Sequence, residues 1–433
     1  MKTAIVGAGL AGLAAAVELE ARGEDFVLLE GADRVGGVVG TLSMDGYLLE
    51  TGPRTVPSSA PTLRRLVDAA GLSEALLSAS PAASRRYIWS GDRLHVAPMS
   101  PGALLGSSLL SWSGRLRVLR DLFLPSGGTS EETVAEFVTR RFGAEANRRL
   151  ADPLCAGVFG ASPEKLGVDA FARLSVIEAE HGSILRGLAR MAKERKRAGH
   201  PPHTLVSFEG GLQQLTDRLG TRFAPQTQLN SEVRSLADID AEQVIIATSS
   251  SAAAALLEDS CPEAAALLSS IRRAPMAVVA LGFSQDAVEH RLDGFGLLCC
   301  SDSPLPAADP VLGVLFSSSI FPGRAPNGRV LLEVMIGGAR CPEALASSDD
   351  ELTERARAAC EIALGARGTP EFSHVTRWAP VLPQYERSHA VRVDRLRSIL
   401  SEQGRVVLAG NYLEGVGVES AALSGVVAAQ SFR

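Results

Sequence analysis

The first thirty residues alternate apolar runs with glycine. Ala4-Ile5-Val6 reads as a buried strand, and Leu10, Leu13, Ala14, Val17 and Ala21 recur at helical spacing. Arg22-Gly23 ends that helix, and Phe26-Val27-Leu28-Leu29 reads as a second strand that stops at Glu30. The same grammar returns later. Val244 to Thr248 is a strand entering a small-residue turn, and Val406 to Gly410 is a strand running into glycine, followed by a small-residue helix from Glu419 to Gln430. Strand–turn–helix units at both ends predict one α/β unit built discontinuously from residues 1–84, 204–264 and 376–433. Residues 85–203 read as mostly helical. Thr129 and Glu132 fit a capping box, Val134, Phe137 and Val138 share a face, and Arg140 and Arg141 suit the C-terminal end. Residues 265–375 alternate in strand fashion, as in Ala277 to Phe283 and Arg329 to Met335, and predict a mixed sheet.

The glycines supply chemistry. Gly7-Ala8-Gly9-Leu10-Ala11-Gly12 is G-x-G-x-x-G placed between a strand and a helix. Gly7 allows the tight turn, Gly9 lets a pyrophosphate approach the backbone, and Gly12 permits close helix–strand packing. The helix N-terminus then offers free N–H groups and partial positive charge. Glu30, 18 residues beyond Gly12, suits a ribose diol and disfavours a 2′-phosphate, hence NADP. The motif alone leaves FAD and NAD both open. Arg34-Val35-Gly36-Gly37, Glu50-Thr51-Gly52-Pro53 and the Gly410, Gly415 and Gly417 stretch add backbone that passes close to something bulky and long, which favours FAD.

Composition narrows the classes. The chain has 433 residues, too many for one ordinary domain, with 46% apolar and 21% charged, which is globular. A net charge of −6 argues against nucleic acid as a partner. No apolar run reaches spanning length, and the glycine motif makes a secretory reading of the N-terminus unneeded. Six cysteines without a C-x-x-C pair point away from zinc, iron–sulfur and disulfide frameworks. The seven histidines show no metal-ligand spacing and no G-x-S-x-G occurs, so neither a metal nor a nucleophile is expected to carry chemistry.

The sequence resembles the FAD-dependent protoporphyrinogen oxidases of the flavin amine oxidase superfamily. The likeness runs through the glycine motifs, Arg86-Tyr87-Ile88-Trp89, Asp152 to Phe159, Ser207 to Leu212, Gly294 to Leu298, Met335 to Gly338, Leu382-Pro383-Gln384-Tyr385 and Leu408 to Val418. It implies an FAD-binding Rossmann-like domain of the glutathione-reductase and amine-oxidase type, a mixed-sheet substrate domain and a helical, membrane-resting domain. It implies non-covalent FAD, a porphyrinogen substrate (protoporphyrinogen IX or coproporphyrinogen III), O2 as acceptor and a role in haem biosynthesis. It further implies that Arg86 binds a propionate, Phe295 and Leu298 sandwich a pyrrole ring, and Gly157 and Met335 line the cavity. Cofactor contacts would come from Gly7 to Gly12, Glu30, Arg34, Gly36, Gly37, Gly52, Pro53, Arg54, Thr55, Val233, Gly410, Asn411 and Val416 to Val418. A cytoplasmic location, peripheral on the inner membrane face, is expected from it, with the leucine-rich stretch Ala103 to Leu124 and its Arg115, Arg117 and Arg120 read either as the membrane-facing helix or as a helix packed on its own domain with a solvated basic face. A homodimer is left open. Only ten residues separate Val233 from Val244, where the family commonly has a longer hairpin, which predicts a trimmed surface loop. Two rivals stand beside this reading: a flavin enzyme that dehydrogenates an amine or heterocycle, and a flavin-binding protein without activity. Arg86 and the Phe295/Leu298 pair favour the porphyrinogen.

Overall fold

The computed structural model describes residues 2–432 apart from Ser130, residues 199–203, Ala307 and Asp309. His200 and His203 therefore lie outside the described residues. The strands of the two large sheets are β1 (Thr3–Val6), β2 (Phe26–Leu29), β3 (Tyr87–Ser90), β4 (Arg93–Val96), β5 (Thr227–Gln228), β6 (Gln243–Ile246), β7 (Arg273–Ser284), β8 (Gly296–Cys299), β9 (Val311–Leu315), β10 (Arg329–Gly337), β11 (Phe372–Pro383) and β12 (Val406–Leu408). Helices that bear on the site are α1 (Leu10–Ala21), α2 (Trp112–Leu119), α3 (Val134–Phe142), α4 (Asp152–Phe159), α5 (Ser250–Leu257), α6 (His389–Gln403) and α7 (Val418–Gln430).

The first sheet is parallel, in the order β5-β2-β1-β6-β12. Its central strands are covered on both faces, which is why they read as unbroken apolar runs. Helix α1 is buried almost all round and packs on α7, where a Cβ at Gly425 would lie 1.9 Å from the Ala11 carbonyl oxygen. A Cβ at Gly12 would lie 1.9 Å from the Gly7 oxygen, so the third motif glycine closes the turn against the helix. The first and last helices of the chain are thus locked together over one sheet, as the pattern at the two ends predicts.

The second sheet is mixed, in the order β11-β7-β10-β9-β8-β3-β4. It differs from the expected boundaries at both edges. Residues 87–96, expected in the helical segment, form β3 and β4 of this sheet, with β3 parallel to β8 in the register Tyr87 to Leu297. Strand β11 straddles the expected boundary at 376 and pairs with β7. Both are short or half-exposed edge strands whose burial pattern carries weak periodicity.

The helical segment begins beyond β4. Its capping box sits one turn later than expected, on Thr133 and Glu136 rather than Thr129 and Glu132. Glu132 instead accepts two bonds from Arg140, at 2.6 and 2.8 Å. Helix α2 also differs from the expected basic amphipathic face. Arg115 donates to the carbonyls of Leu110 and Ser107, and Arg117 donates to those of Thr139, Arg140 and Arg141. These two cations serve the segment's own backbone, and α2 turns Trp112 and Leu116 outward instead. Among the described residues no helix is long and apolar enough to cross a membrane.

Candidate active site

A cavity of about 1120 Å³ opens between the two sheets. The carboxyl ends of the parallel strands form one wall, where ligands of open α/β sheets bind. From the N-terminal unit come Gly7, Gly9, Leu10 and Ala11, then Glu30, Gly36 and Gly37, then Gly52, Pro53 and Arg54. Val233 reaches it from the segment before β6. Gly410, Asn411, Val416, Gly417 and Val418 close it from the C-terminal end. Gly157 of α4 and Met335 of β10 face it from the opposite side. Residues more than 400 positions apart in the chain meet at one hollow.

Expected residues also brace the wall, Glu30 and Arg54 from on it and Arg34 and Gly12 from behind it. The Ala8 N–H donates to Glu30 Oε2 at 2.7 Å, and the Ala32 N–H to Oε1 at 2.9 Å, so Glu30 braces the first glycine turn. The Arg34 guanidinium donates to the carbonyls of Val35, Val39 and Gly37 at 2.9–3.0 Å. It holds the second glycine turn, in which Gly36 and Gly37 have φ of +103° and +56°. Gly12 serves packing, and Thr55 is half-buried beside Arg54, off the wall. Arg54 itself is committed to the buried Glu333 through two 3.2 Å bonds, and Ser317 Oγ donates to the same carboxylate.

Gly9 and Gly417 test whether the hollow suits a bulky group. Each is the N-cap of a helix, α1 and α7, with an ordinary φ of −67° and −77° and no side-chain cap. A Cβ at either would meet no protein atom within 4 Å. Neither conformation nor protein packing asks for glycine there, whereas a ligand lying against two uncapped, electropositive helix ends does. The residues present therefore fit a dinucleotide cofactor.

The remaining expected residues, Arg86, Phe295 and Leu298, lie beside this cavity and not on its wall. Strands β3 and β8 run side by side, and the Phe295 N–H donates to the Arg85 carbonyl at 2.8 Å. This brings Arg86 over the Phe295 ring, with its guanidinium carbon 5.1 Å from the centroid. Arg85 pairs with Asp293, but Arg86 has no carboxylate partner among the described residues, and its one side-chain bond, to the Ser84 carbonyl, is 3.4 Å long. Burial pushes the Arg86 pKa down, the mark of a cation short of a counterion. Leu298 packs on Gly157, where a Cβ would come within 2.5 Å of Leu298 Cδ2. Phe295 and Leu298 then join an apolar cluster with Met276, Val278, Met335 and Leu382, four residues that also line the cavity. That cluster joins Phe295 and Leu298 to the cavity wall.

Several wall residues escaped sequence reading: Met276, Val278, Trp378 and Arg273 on the mixed sheet, and Ser249 and Ser250 beside it. Trp378 Nε1 donates to the Thr51 carbonyl and ties β11 to the glycine turn. Tyr385 was noted only as part of a likeness. Its hydroxyl donates to the Asn411 carbonyl and accepts from the Gly415 N–H, both at 2.6 Å, bridging the two ends of the C-terminal glycine loop. His389 stacks on Tyr385 at 4.0 Å, with Nε2 3.2 Å from the Leu413 carbonyl oxygen. No periodicity marks such a clamp, because its partners are backbone atoms.

Burial pushes the His389 pKa below its ordinary value, so the ring is neutral near pH 7. The unfolded chain then binds more protons than the folded one below about 6.5, the ordinary histidine value, and stability falls as pH drops through that range. Half-buried His290 and buried His95 shift the same way. Thermal melts from pH 7.5 to 5.5 should show a smaller loss for His389→Gln than for the parent. Parallel curves for the two would remove His389 from the effect.

Comparison with known proteins agrees with this geometry. The model of the family described as flavin containing amine oxidoreductase matches residues 10–431. Protoporphyrinogen oxidase 1 of Spinacia oleracea, chloroplastic, is 32% identical across 95% of this chain and 80% of its own length. Coproporphyrinogen III oxidase of Propionibacterium freudenreichii is 30% identical across 96% of this chain and 87% of its own. Among solved structures, reduced UDP-galactopyranose mutase superposes with a TM-score of 0.74 at 15% identity, covering 99% of this chain and 94% of that one, a likeness of fold. A match over nearly the whole chain, with a cavity framed by two uncapped glycine helix starts, makes this protein a member of the flavin-containing amine oxidoreductase family.

Proposed function

We propose that the protein oxidises a porphyrinogen, protoporphyrinogen IX or coproporphyrinogen III, to the porphyrin in haem biosynthesis, with non-covalent FAD and O2. The observation that carries this reading is Arg86, an uncompensated, half-buried guanidinium over Phe295 beside the apolar cluster. A porphyrinogen is a large apolar macrocycle with carboxylate arms, and such a slot with a cation at its edge matches it. Glu30, Val233 and the first two glycine turns would hold the adenosine and diphosphate. Gly52, Asn411 and Val416 to Val418 would hold the flavin. No cysteine or histidine lies on the described cavity wall, which favours non-covalent attachment. Bound flavin would supply hydride acceptance in three two-electron steps. Arg86 anchors one propionate, Phe295 and Leu298 flank a pyrrole ring, and Gly157 leaves the space that Leu298 occupies. Met335 and Leu382 keep water from the reacting face. The N-terminus of α7 offers partial positive charge to the flavin as electrons arrive.

The test is anaerobic mixing with each porphyrinogen, which should bleach the flavin. A flavin that stays oxidised with both, yet is reduced by an amine, would move the protein to the rival reading. Arg86→Ala should raise KM by roughly tenfold to a hundredfold with kcat little changed, since a charge-assisted bond contributes about 1.5–3 kcal/mol. An unchanged KM would remove Arg86 from the site.

We also propose that α2 and its sequel rest on an anionic bilayer at the inner face of the cell membrane. Trp112, Leu116 and Phe123 are 77%, 64% and 85% exposed, with Arg120 exposed beside them. Flotation with phosphatidylglycerol vesicles should recover the protein, and Trp112→Ser/Phe123→Ser should lower the bound fraction about tenfold or more, because each ring loses ~1 kcal/mol or more of burial. Equal flotation of the two proteins rejects this surface.

A further inference from the structure

The cavity wall carries three arginines, and two of them have carboxylate partners. Arg54 is paired with Glu333 and Arg234 with Glu232. Arg273, at the start of β7, has no carboxylate partner among the described residues. Its one side-chain bond is from Nη2 to Ser251 Oγ, at 2.6 Å. Ser251 lies in the first turn of α5, and Ser249 caps that helix, its Oγ accepting from the Ala252 N–H at 3.4 Å and lying 3.2 Å from Ser251 Oγ. Ser249 and Ser250 are both on the cavity wall. Ser250 is 1% exposed, and its hydroxyl has no hydrogen-bond partner. A buried hydroxyl without a partner is costly, and the cost is removed when a ligand accepts its proton.

We propose that the α5 N-terminus, the Ser250 hydroxyl and the Arg273 guanidinium form an oxyanion subsite of the cavity. It is separate from the G-x-G-x-x-G turn at α1 and from Arg86. Three donors of different kinds belong to one stretch of wall: a positive helix end, an unspent O–H buried just behind it and an unpaired planar cation. The arrangement suits a phosphate or a carboxylate. Two sources bring that chemistry to this wall, the diphosphate of the dinucleotide and a second carboxylate arm of the macrocycle. The assignment of these sources rests on the function proposed above, whereas the subsite itself does not. Burial also lowers the Arg273 pKa, as expected of a cation awaiting an anion.

The experiment compares the parent with Arg273→Gln, Arg273→Lys and Ser250→Ala. Apoprotein is titrated with inorganic pyrophosphate and with FAD, and holoprotein with coproporphyrin III and its tetramethyl ester. Arg273→Gln should weaken pyrophosphate binding about tenfold or more, the loss expected for one charge-assisted bond, with partial rescue by lysine. A matching loss for FAD assigns the subsite to the diphosphate. A matching loss for coproporphyrin III, absent with the ester, assigns it to a substrate carboxylate. Ser250→Ala removes only the unpartnered hydroxyl, so it decides the question if Arg273→Gln fails to fold. Its affinity should fall with no loss of melting temperature. Unchanged affinity for all probes in the folded variants overturns the subsite. Pyrophosphate binding that depends on Arg273, in a parent protein that takes up no flavin, keeps the subsite and sinks the flavin reading.

Discussion

A Gly9→Val protein should purify folded and colourless. A valine at Gly9 adopts the existing φ of −67° without strain, and its Cβ meets no protein atom within 4 Å. The apoprotein should therefore melt within about 1 °C of the parent, since nothing it packs against has changed. The cavity loses the space that the first helix start leaves open, and the branched side chain stands where a ligand must approach the α1 N–H groups. Overpacking against a rigid ligand costs about 1–3 kcal/mol or more, so flavin affinity should fall by roughly a hundredfold. Gly12→Val makes the contrasting case. There a Cβ would collide with the Gly7 carbonyl at 1.9 Å, so the fold itself should weaken along with cofactor uptake. Absorbance at 450 nm after reconstitution, read beside the melting curve, separates the two. A yellow Gly9→Val protein would mean that the hollow does not take its cofactor at this helix end.

That contrast shows which parts of the site were legible in the chain. The glycine turns were readable because their requirements are local. Tight turns, close approach and helix packing lie within a dozen residues of one another, from Gly7 to Gly12. Arg86 and Phe295 were found only through a likeness, because 209 positions separate them and strand pairing alone brings them together. Arg273 and Trp378 carried no signal, and Tyr385 only a likeness, since each acts on a hydroxyl or carbonyl of a distant segment. The misplaced capping box has a simple origin. Thr129 to Glu136 holds the threonine–glutamate spacing twice, four residues apart. Only the second register sets Val134, Phe137 and Val138 directly after its cap, and burial of that face selects it. The arginines of α2 misled for the opposite reason. Arginine at helical spacing suggests a solvated face, yet Arg115 and Arg117 spend their donors on nearby carbonyls.

The helical segment rests on a different kind of interaction, and Arg141→Met should expose it by costing about 3–5 kcal/mol. Arg141 and Asp121 are both fully buried. The guanidinium bonds Asp121 Oδ1 at 2.6 Å, Glu178 at 3.3 Å, and the carbonyls of Pro125, Asp121 and Gly182 at 2.9–3.1 Å. Asp121 also accepts from Ser183 Oγ and the Leu185 N–H. Removing the cation leaves a buried carboxylate facing carbonyls that have lost their donor, which is worse than never having built the pair. Arg141→Met/Asp121→Asn keeps acceptors for Ser183 and Leu185 while deleting both charges, so it should recover part of the loss. A double variant no more stable than the single would assign the cost to packing instead. The cofactor should be little affected below the melting range, because α4 is held from the other side. Arg340 and the Ser301 N–H bind Asp152 at 2.5 and 2.8 Å, fixing the helix that carries Gly157 to the mixed sheet. Flavin release that tracks the melting of Arg141→Met, rather than preceding it, is the expected result. Release well below the melting range would place the buried pair in control of the cavity itself.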